Sequence, residues 1–119
     1  MDRLENFGAY IKACELWDLC WDDCDSLARD FRGLAVAKQL IRSVGSISAN
    51  MEEGYGRGYG KELAQFLRTS RGSARESRGW YRRSSRLLSD VVVGQRTELL
   101  DEIIGILVAT IRRLEERNK

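Results

Sequence analysis

The sequence predicts an all-α protein, an antiparallel up-down-up-down four-helix bundle. Three observations lead to this prediction. The 119 residues include no proline, so long helices need not be interrupted. Four segments carry apolar residues at steps of three and four, the period of an amphipathic helix. The connections between these segments are short, which favours antiparallel neighbours.

The first two helices are predicted over residues 7–29 and 34–53. The apolar stripe of the first consists of Phe7, Tyr10, Cys14, Trp17, Trp21, Cys24 and Ala28. The stripe of the second consists of Leu34, Ala37, Leu40, Ile41, Val44, Ile47 and Met51. We expect the second helix to end at the glycine-rich run 54–60, because glycines terminate helices.

The third and fourth helices are predicted over residues 61–88 and 97–117, which completes a single domain over residues 1–119. Small side chains occupy the middle of the third stripe, where Ser70, Ser73, Ala74 and Ser77 favour a close helix crossing. In the fourth segment Ile104, Ile106 and Val108 widen the apolar face beyond one seam. A helix that is apolar around so much of its circumference predicts a homo-oligomer.

The absence of histidine argues against an enzyme. Without histidine the chain has no Ser-His-Asp or Cys-His catalytic group and no imidazole metal ligand. Cys20 and Cys24 lie one helical turn apart, but only Cys14 remains to complete a thiolate site, and zinc prefers four ligands. We therefore expect these cysteines to be small buried side chains, and we predict no catalytic residue, metal or cofactor.

Two features of the chain bear on its location. No apolar run approaches the roughly 18 residues of a membrane-spanning helix, and the acidic start does not resemble a signal peptide. The odd count of three cysteines, without a secretion signal, is typical of a reducing compartment. These observations predict a cytoplasmic protein that does not enter a membrane.

The net charge of +2 hides a strong segregation of charge along the chain. Residues 1–31 carry three basic and eight acidic side chains, a net charge of −5. Residues 32–86 carry twelve basic and four acidic side chains, a net charge of +8. Residues 87–119 carry a net charge of −1. The positive middle segment therefore holds the candidate binding residues.

Arginines recur along the predicted third helix at steps of three and four, which places them on one ridge. The ridge consists of Arg68, Arg71, Arg75, Arg78, Arg82 and Arg86, with Arg83 beside it. Arg57 lies in the glycine-rich run, which we expect to be a turn between helices, although its tyrosines could also stack on bases. A planar guanidinium can bind a phosphate or a carboxylate through two hydrogen bonds. These eight arginines are the predicted nucleic-acid-binding residues.

An acidic row on the first helix offers a second interpretation of the ridge. Glu15, Asp18, Asp22 and Asp25 also recur at steps of three and four. They could pair with the arginines within or between subunits, or the arginines could meet carboxylates of a protein partner. The sequence leaves open whether the arginines bind phosphate or act in a structural adaptor without nucleic acid.

Two sequence blocks resemble a known family. Residues 46–57, Ser-Ile-Ser-Ala-Asn-Met-Glu-Glu-Gly-Tyr-Gly-Arg, follow the matching residues 39–43, and residues 66–76 supply a second block in the third helix. The chain resembles the bacterial four-helix-bundle protein family, also known as the ribosomal RNA intervening-sequence proteins. The resemblance covers about residues 7–115. A departure is Ser48, where family members often have proline.

The resemblance implies a homopentamer with a central channel. Relatives of the family, the accessory variability determinants of diversity-generating retroelements, are basic pentamers that bind nucleic acid and associate with a reverse transcriptase. RNA or DNA and a reverse transcriptase are therefore expected partners. The family motif falls on Arg42, Asn50, Glu53, Gly54, Arg57, Gly72, Ser73 and Glu76. From their chemistry we expect most of these residues to make helix-end polar contacts and close packing.

Overall fold

Four α-helices account for nearly all of the described chain. The computed structural model describes residues 3–58 and 60–117. After a short 3-10 turn at Leu4–Asn6, the helices are α1 (Gly8–Leu27), α2 (Phe31–Arg57), α3 (Gly60–Arg83) and α4 (Asp90–Arg117). They pack into a body of 49 × 21 × 21 Å. The prediction of an all-α protein with four helices is confirmed.

Each helix packs against the next, and α4 also packs against α1. The beginning of α1 lies beside the end of α2, where the Tyr10 hydroxyl donates to Glu52 Oε2 at 2.7 Å. The end of α1 lies beside the beginning of α2, where Cys24 Sγ lies 3.6 Å from the Ala37 carbonyl oxygen. Among the described residues no Cα atoms of α1 and α3 approach within 8 Å. These two helices are therefore diagonal neighbours.

The buried face of α1 differs from its predicted stripe by a rotation of about one residue. Its buried side chains are Ala9, Ala13, Leu16, Cys20, Asp23 and Leu27. Trp21, which we predicted inside, is 58% exposed. Steps of three and four fit the predicted stripe and the observed buried face equally well. The small side chains of Ala9 and Ala13 allow neighbouring helices to approach α1 closely, which large aromatic rings would prevent. The rings of Trp17 and Trp21 instead lie at the edge of the core, beside α2.

The boundaries of α2 extend beyond the prediction at both ends. α2 begins at Phe31 because Asp30 caps it, accepting the backbone N–H of Arg32 at 2.8 Å and of Gly33 at 3.4 Å. It continues through Gly54 and ends at Gly58, whose φ of 138° is accessible mainly to glycine. Gly54 does not end the helix, since its missing side chain instead admits α3.

The connection between α3 and α4 also lies earlier than predicted. α3 ends at Arg83 rather than at residue 88, and the Ser84 hydroxyl donates to the Trp80 carbonyl oxygen at 2.8 Å. α4 begins at Asp90 rather than at residue 97. Ser89 caps this start by accepting the Val92 backbone N–H at 3.2 Å. Consecutive valines, which favour strands, concealed this first turn.

A buried ion pair joins helices toward the end of the bundle where α1 and α3 finish and α4 begins. Asp23 on α1 and Arg96 on α4 are both buried, and the guanidinium donates to both carboxylate oxygens at 2.8 and 3.2 Å. The hydroxyl of Tyr81 on α3 also donates to Asp23 Oδ2, at 2.7 Å. Burial raises the pKa of Tyr81 far above its ordinary value, so this hydroxyl stays a donor. Three helices are therefore joined at one carboxylate.

The wide apolar face of α4 is covered only in part within one chain. Ile104 is buried, and Ile106 and Val108 are partly buried against the core. A Cβ added at Gly8 would lie 3.5 Å from the Ile106 side chain, which places α1 over this face. Because Ile106 and Val108 stay partly exposed in one chain, the homo-oligomer expected from this face stays a prediction. No helix in the described part of the chain combines the length and the apolar character needed to cross a membrane.

Candidate nucleic-acid interface

Five arginines of the predicted ridge lie on the side of α3 that faces α4. We call Arg68, Arg71, Arg75, Arg78 and Arg82 the arginine row. Arg68 Nη2 lies 2.6 Å from Glu115 Oε1, and Arg78 Nη1 lies 2.7 Å from Asp101 Oδ1. Both carboxylates belong to α4, so the arginine row borders the seam between α3 and α4.

The paired end of the row forms a shallow depression. It has a volume of about 450 Å³ and is lined by Lys61, Ala64, Gln65, Arg68 and Glu115. The Arg68 guanidinium holds the pKa of the Glu115 carboxyl below its ordinary value, and the charges of Arg71 and Arg112 act in the same direction. A phosphate that approaches here must compete with a carboxylate that stays ionised.

The other three arginines of the row have no ion pair with any described residue. Arg75 and Arg82 are exposed, and Arg71 is half-buried. A Cβ added at the neighbouring Gly72 would meet no atom within 4 Å, so the surface beside these arginines is open. Their guanidinium donors are available to an external anion.

The remaining three predicted arginines lie away from the row. Arg83 stacks on Trp80, with its guanidinium carbon 5.0 Å from the ring centroid. Arg57 pairs with Glu53 at 2.8 Å and lies over the Phe66 ring. Arg86 lies in the connection after α3 rather than on the helix. The eight predicted residues are therefore not one surface.

The glycine-rich run is not a loop of exposed tyrosines in its described part. Tyr55 lies within α2, is half-buried, and its ring centroid lies 5.6 Å from that of Phe7. Tyr59, the second predicted stacking residue, lies outside the described residues. The position of Tyr55 therefore does not support base stacking at this run.

The acidic row of α1 does not pair with the arginine row inside one chain. Glu15, Asp18, Asp22 and Asp25 are exposed and make no ion pair with a described residue. Because α1 and α3 are diagonal, intrachain pairing of the two rows is ruled out for the described residues. The carboxylates that do pair, Asp101 and Glu115, were missed. Their separation of 14 residues places both on one side of a helix, which is the signal that could have revealed them.

Four of the eight family motif residues join α2 to α3, and Asn50, Glu53 and Arg57 make contacts within α2. Five serines line the contact between α2 and α3 and are here called the serine seam: Ser43, Ser46, Ser70, Ser73 and Ser77. Ser77 Oγ lies 2.9 Å from Ser43 Oγ, and Ser73 Oγ lies 2.8 Å from Ser46 Oγ. Asn50 completes the seam by donating to the Ser46 carbonyl oxygen at 2.8 Å. Among the motif residues, Asn50 thus makes a polar contact within α2, and Ser73 makes one between α2 and α3.

Two further motif contacts join the same helices, and one motif residue has none. Arg42 pairs with Glu76, which also accepts the Trp80 indole N–H at 3.0 Å. A Cβ added at Gly54 would lie 2.8 Å from Phe66 Cβ, so the glycine permits close packing. Gly72 faces open space instead, and close packing does not explain it.

The described residues contain no group of three or more cysteine, aspartate or glutamate side chains placed to hold a metal ion. Separately, guanidinium groups can bind anions through two hydrogen bonds. The arginine row is the densest cluster of such groups.

Comparisons with known proteins connect the chain to one family. A family model described as "23S rRNA-intervening sequence protein" matches residues 5–109. A crystal structure from Bacteroides thetaiotaomicron VPI-5482, of a protein with unknown function from the S23 ribosomal protein family, superposes with a TM-score of 0.80. The two chains are 20% identical, and the match covers 87% of this chain and 97% of the other. At that identity the likeness shows the fold alone. No curated protein matches the chain.

Proposed function

The chain belongs to the 23S rRNA-intervening sequence protein family, and on this premise we propose that it is a non-enzymatic nucleic-acid-binding scaffold protein. The observation that carries the proposal is the arginine row on α3. Arg71, Arg75 and Arg82 have no ion pair in the described part of the chain, so their donors can reach phosphate oxygens. Each guanidinium can bind a phosphate through two parallel hydrogen bonds.

The three unpaired arginines, with the paired Arg78 between them, set the size of the target. Arg71 and Arg82 are eleven residues apart, which is about 16 Å along a helix. That length matches about five base pairs at 3.4 Å per step in one strand. Arg68 and Arg78 already pair with carboxylates, so they contribute less to binding than the other three.

A mobility-shift titration with a structured RNA and a duplex DNA, repeated at several salt concentrations, tests the proposal. Each phosphate contact contributes about −0.9 to the slope of log K against log salt for duplex DNA. The triple variant Arg71→Gln/Arg75→Gln/Arg82→Gln should therefore bind more weakly and with a slope shallower by about 2.7.

The matched control removes three exposed charges elsewhere, in the variant Arg29→Gln/Lys38→Gln/Arg113→Gln. It lowers the net charge equally, so it should weaken binding less and keep a steeper slope. If the two triple variants lost the same affinity for nucleic acid, the arginine row would contribute only through its net charge and not as a specific binding surface. Absence of binding by the wild type at low salt would refute the proposal.

We further propose that the antiparallel up-down-up-down bundle assembles as a homo-oligomer, with five copies expected from the resemblance. The acidic row of α1 and the arginine row of α3 lie on diagonal helices of one chain. Copies that pair these rows head to tail form a heterologous interface, which closes into a ring if the rotation permits. In this arrangement Arg71, Arg75 and Arg82 would pair with carboxylates of another copy, so it is an alternative to phosphate binding by the same three arginines.

The second candidate function is a structural adaptor that binds an acidic protein surface, such as that of a reverse transcriptase, without nucleic acid. Arg68 and Arg78 favour it, because both already bind carboxylates. The two functions separate in one experiment, a titration of the purified protein with a purified reverse transcriptase, before and after nuclease treatment. Binding that survives nuclease and is lost in the arginine triple variant supports the adaptor. Binding that disappears with nuclease supports the nucleic-acid scaffold.

A further inference from the structure

The depression at the paired end of the arginine row holds more positive than negative charge. Of the described residues that line it, Lys61 and Arg68 are cations and Glu115 is the one carboxylate. After the hydrogen bond from Arg68, the charges of Arg71 and Arg112 also lower the pKa of the Glu115 carboxyl. Both arginines are therefore close enough to attract an anion in the depression.

The beginning of α3 adds to this attraction. Lys61 lies in the first turn of α3, and Gln65 lies in the next turn. The first turn of a helix carries partial positive charge from its unpaired N–H groups. Glu62, the acidic residue of that turn, does not line the depression. The helix dipole and the cations therefore act in the same direction.

The ion pair that occupies the depression is open to solvent. The side chains of Arg68 and Glu115 are 36% and 49% exposed, and the volume of the depression is about 450 Å³. Ion pairs exposed to this extent contribute little to the stability of a fold. Glu115 can therefore leave Arg68 without loss of the fold, and an anion from solution can take its place.

The charge of the incoming anion decides whether it displaces Glu115. An internal phosphodiester carries one negative charge, as the carboxylate does, so the exchange gains little. A terminal phosphomonoester carries about −1.5 to −2 at neutral pH and has three acceptor oxygens. It therefore interacts more strongly with the same cations than Glu115 does.

The depression also lies where a strand bound along the row would end. Arg68 is the first arginine of the row, three residues from Arg71, which is about 4.5 Å along a helix. Between Arg68 and the beginning of α3 the sequence contains no cation except Lys61. A strand that follows the row toward the beginning of α3 thus reaches its last guanidinium at the depression.

We propose that this depression binds the terminal phosphomonoester of a nucleic-acid strand. Lys61 and Arg68 donate to the phosphate oxygens, and Glu115 moves aside. The same carboxylate disfavours internal phosphodiesters, which carry too little charge to displace it. This site rests on the proposed function, because the arginine row holds the rest of the strand.

The first test compares one short duplex DNA in three forms, with a 5′-phosphate, with a 3′-phosphate, and with hydroxyl ends only. Fluorescence anisotropy measures the affinity of the full chain for each form at neutral pH. We expect at least one phosphorylated form to bind about tenfold more tightly than the hydroxyl form, the effect of one additional charge-assisted hydrogen bond. Equal affinity for all three forms would overturn the site.

The hydroxyl form separates this site from the proposed function. Binding of the hydroxyl form without any preference for a phosphorylated end supports the arginine row and refutes the terminal site. Binding of only the phosphorylated forms supports the terminal site and refutes the row. If no form binds at low salt, both proposals fail.

The second test assigns the selectivity to Glu115. Glu115→Gln removes the competing carboxylate, so it should tighten binding of the hydroxyl form more than that of the phosphorylated form, and the preference should shrink. The matched control is Glu116→Gln, because Glu116 is exposed, does not line the depression and has no ion pair with a described residue. The two variants change the net charge equally. A preference that is the same in both variants would contradict the role of Glu115.

The third test removes the two cations of the site. Lys61→Gln/Arg68→Gln should abolish the preference for a phosphorylated end. The control Arg29→Gln/Lys38→Gln removes two exposed cations elsewhere and should keep the tenfold preference. Both variants should lose similar affinity for the hydroxyl form, because the unpaired arginines of the row remain. A preference that survives in Lys61→Gln/Arg68→Gln would refute the assignment to this depression.

Discussion

At Asp23 a carboxylate is held inside the core by donors from two other helices. Its partner Arg96 is equally enclosed, with side-chain exposures of 8% for Arg96 and 7% for Asp23. Removing one member of a buried pair leaves an uncompensated charge. We therefore predict that Arg96→Met lowers the free energy of unfolding by about 3–5 kcal/mol at neutral pH, measured by urea denaturation.

Tyr81→Phe is the control for that loss. It removes one hydroxyl donor but leaves the Asp23–Arg96 pair intact, so the expected loss is about 1 kcal/mol. The double variant Asp23→Leu/Arg96→Met should recover much of the stability that Arg96→Met loses, because no buried charge remains. If Arg96→Met cost no more than Tyr81→Phe, the pair would not be a stabilising element of the core.

Gly54 and Gly72, both in the family motif, should respond oppositely to the same substitution. At Gly54 the added Cβ would lie 2.8 Å from Phe66 Cβ, so Gly54→Ala should destabilise by about 1–3 kcal/mol through overpacking. At Gly72 it meets nothing within 4 Å, so Gly72→Ala should stabilise by about 1 kcal/mol through helix propensity. Thermal unfolding of both variants measures the contrast. A stabilised Gly54→Ala would contradict the packing role of this glycine.

The arginine row and its carboxylate partners were only partly predictable from the sequence. The steps between arginines placed Arg68, Arg71, Arg75, Arg78 and Arg82 correctly on one side of α3. The sequence could not identify their carboxylate partners, because Asp101 and Glu115 become neighbours only through the packing of α4 on α3. Arg86 was misplaced because nothing in its local spacing reveals that α3 stops at Arg83.

At the scale of the helices, the boundary between α1 and α2 depends on Asp30. Hydrogen bonds from the Arg32 side chain, and then from the backbone, hold the pKa of the Asp30 carboxyl well below its usual range. The folded pKa lies below the unfolded value of about 3.9. The charge of Asp30 therefore stabilises the protein fully above that value, and this stabilisation is lost as the pH falls through the folded pKa.

Two variants separate the charge of Asp30 from its capping role. Asp30→Asn keeps a capping oxygen, so it should lower the melting temperature at neutral pH and approach the wild type in acid. Asp30→Ala removes the cap as well, so it should remain less stable than the wild type at both pH values. Melting curves followed by circular dichroism give the comparison. A gap between Asp30→Asn and the wild type that widens in acid would contradict the lowered pKa.

The number and type of the helices were predictable, whereas their faces and ends were less so. Apolar spacing revealed four helices because the 3.6-residue period persists through each of them. The same spacing could not decide whether α1 buries the stripe that contains Ala13 or the stripe that contains Cys14, because both stripes repeat with that period. Asp30 and Ser89 cap the starts of α2 and α4. A serine or an aspartate caps a helix only where the local backbone geometry brings its side-chain oxygen to an N–H of the first turn. The spacing of apolar residues does not reveal that geometry.

At the scale of the molecule, large apolar side chains are exposed mainly at one end. We call Trp21, Phe31, Leu34, Leu87 and Val91 the apolar end. Phe31 and Leu34 lie close to Leu87 at this end, because a Cβ added at the neighbouring Gly33 would lie 2.7 Å from the Leu87 side chain. Phe31 and Val91 are 82% and 79% exposed. Exposed apolar groups gathered in one area are typical of interaction sites.

The apolar end and the charged rows predict different dependences of self-association on salt. If copies associate through the acidic row and the arginine row, light scattering should detect an oligomer that dissociates as salt screens the charges. Phe31→Ser/Val91→Ser should then leave its mass unchanged. An oligomer that persists in high salt and is lost in this double variant would assign the interface to the apolar end. A mass near 13.6 kDa at every concentration and salt would exclude self-association.

The serine seam has a consequence for the lengthwise position of α3. Moved one turn, about 5.4 Å, along α2, α3 could set Ser73 beside Ser43 and Ser70 beside Ser46, and the same kind of hydroxyl contact would form again. The hydroxyl contacts of the serine seam alone therefore do not fix the position of α3 along α2. Tyr81 stops that movement, because its hydroxyl is tethered to Asp23, and Asp23 in turn is tethered to Arg96. The lengthwise position of α3 is thus fixed by the Tyr81–Asp23 hydrogen bond, the Arg42–Glu76 pair and the packing of Phe66 on Gly54, and not by the serine hydroxyls.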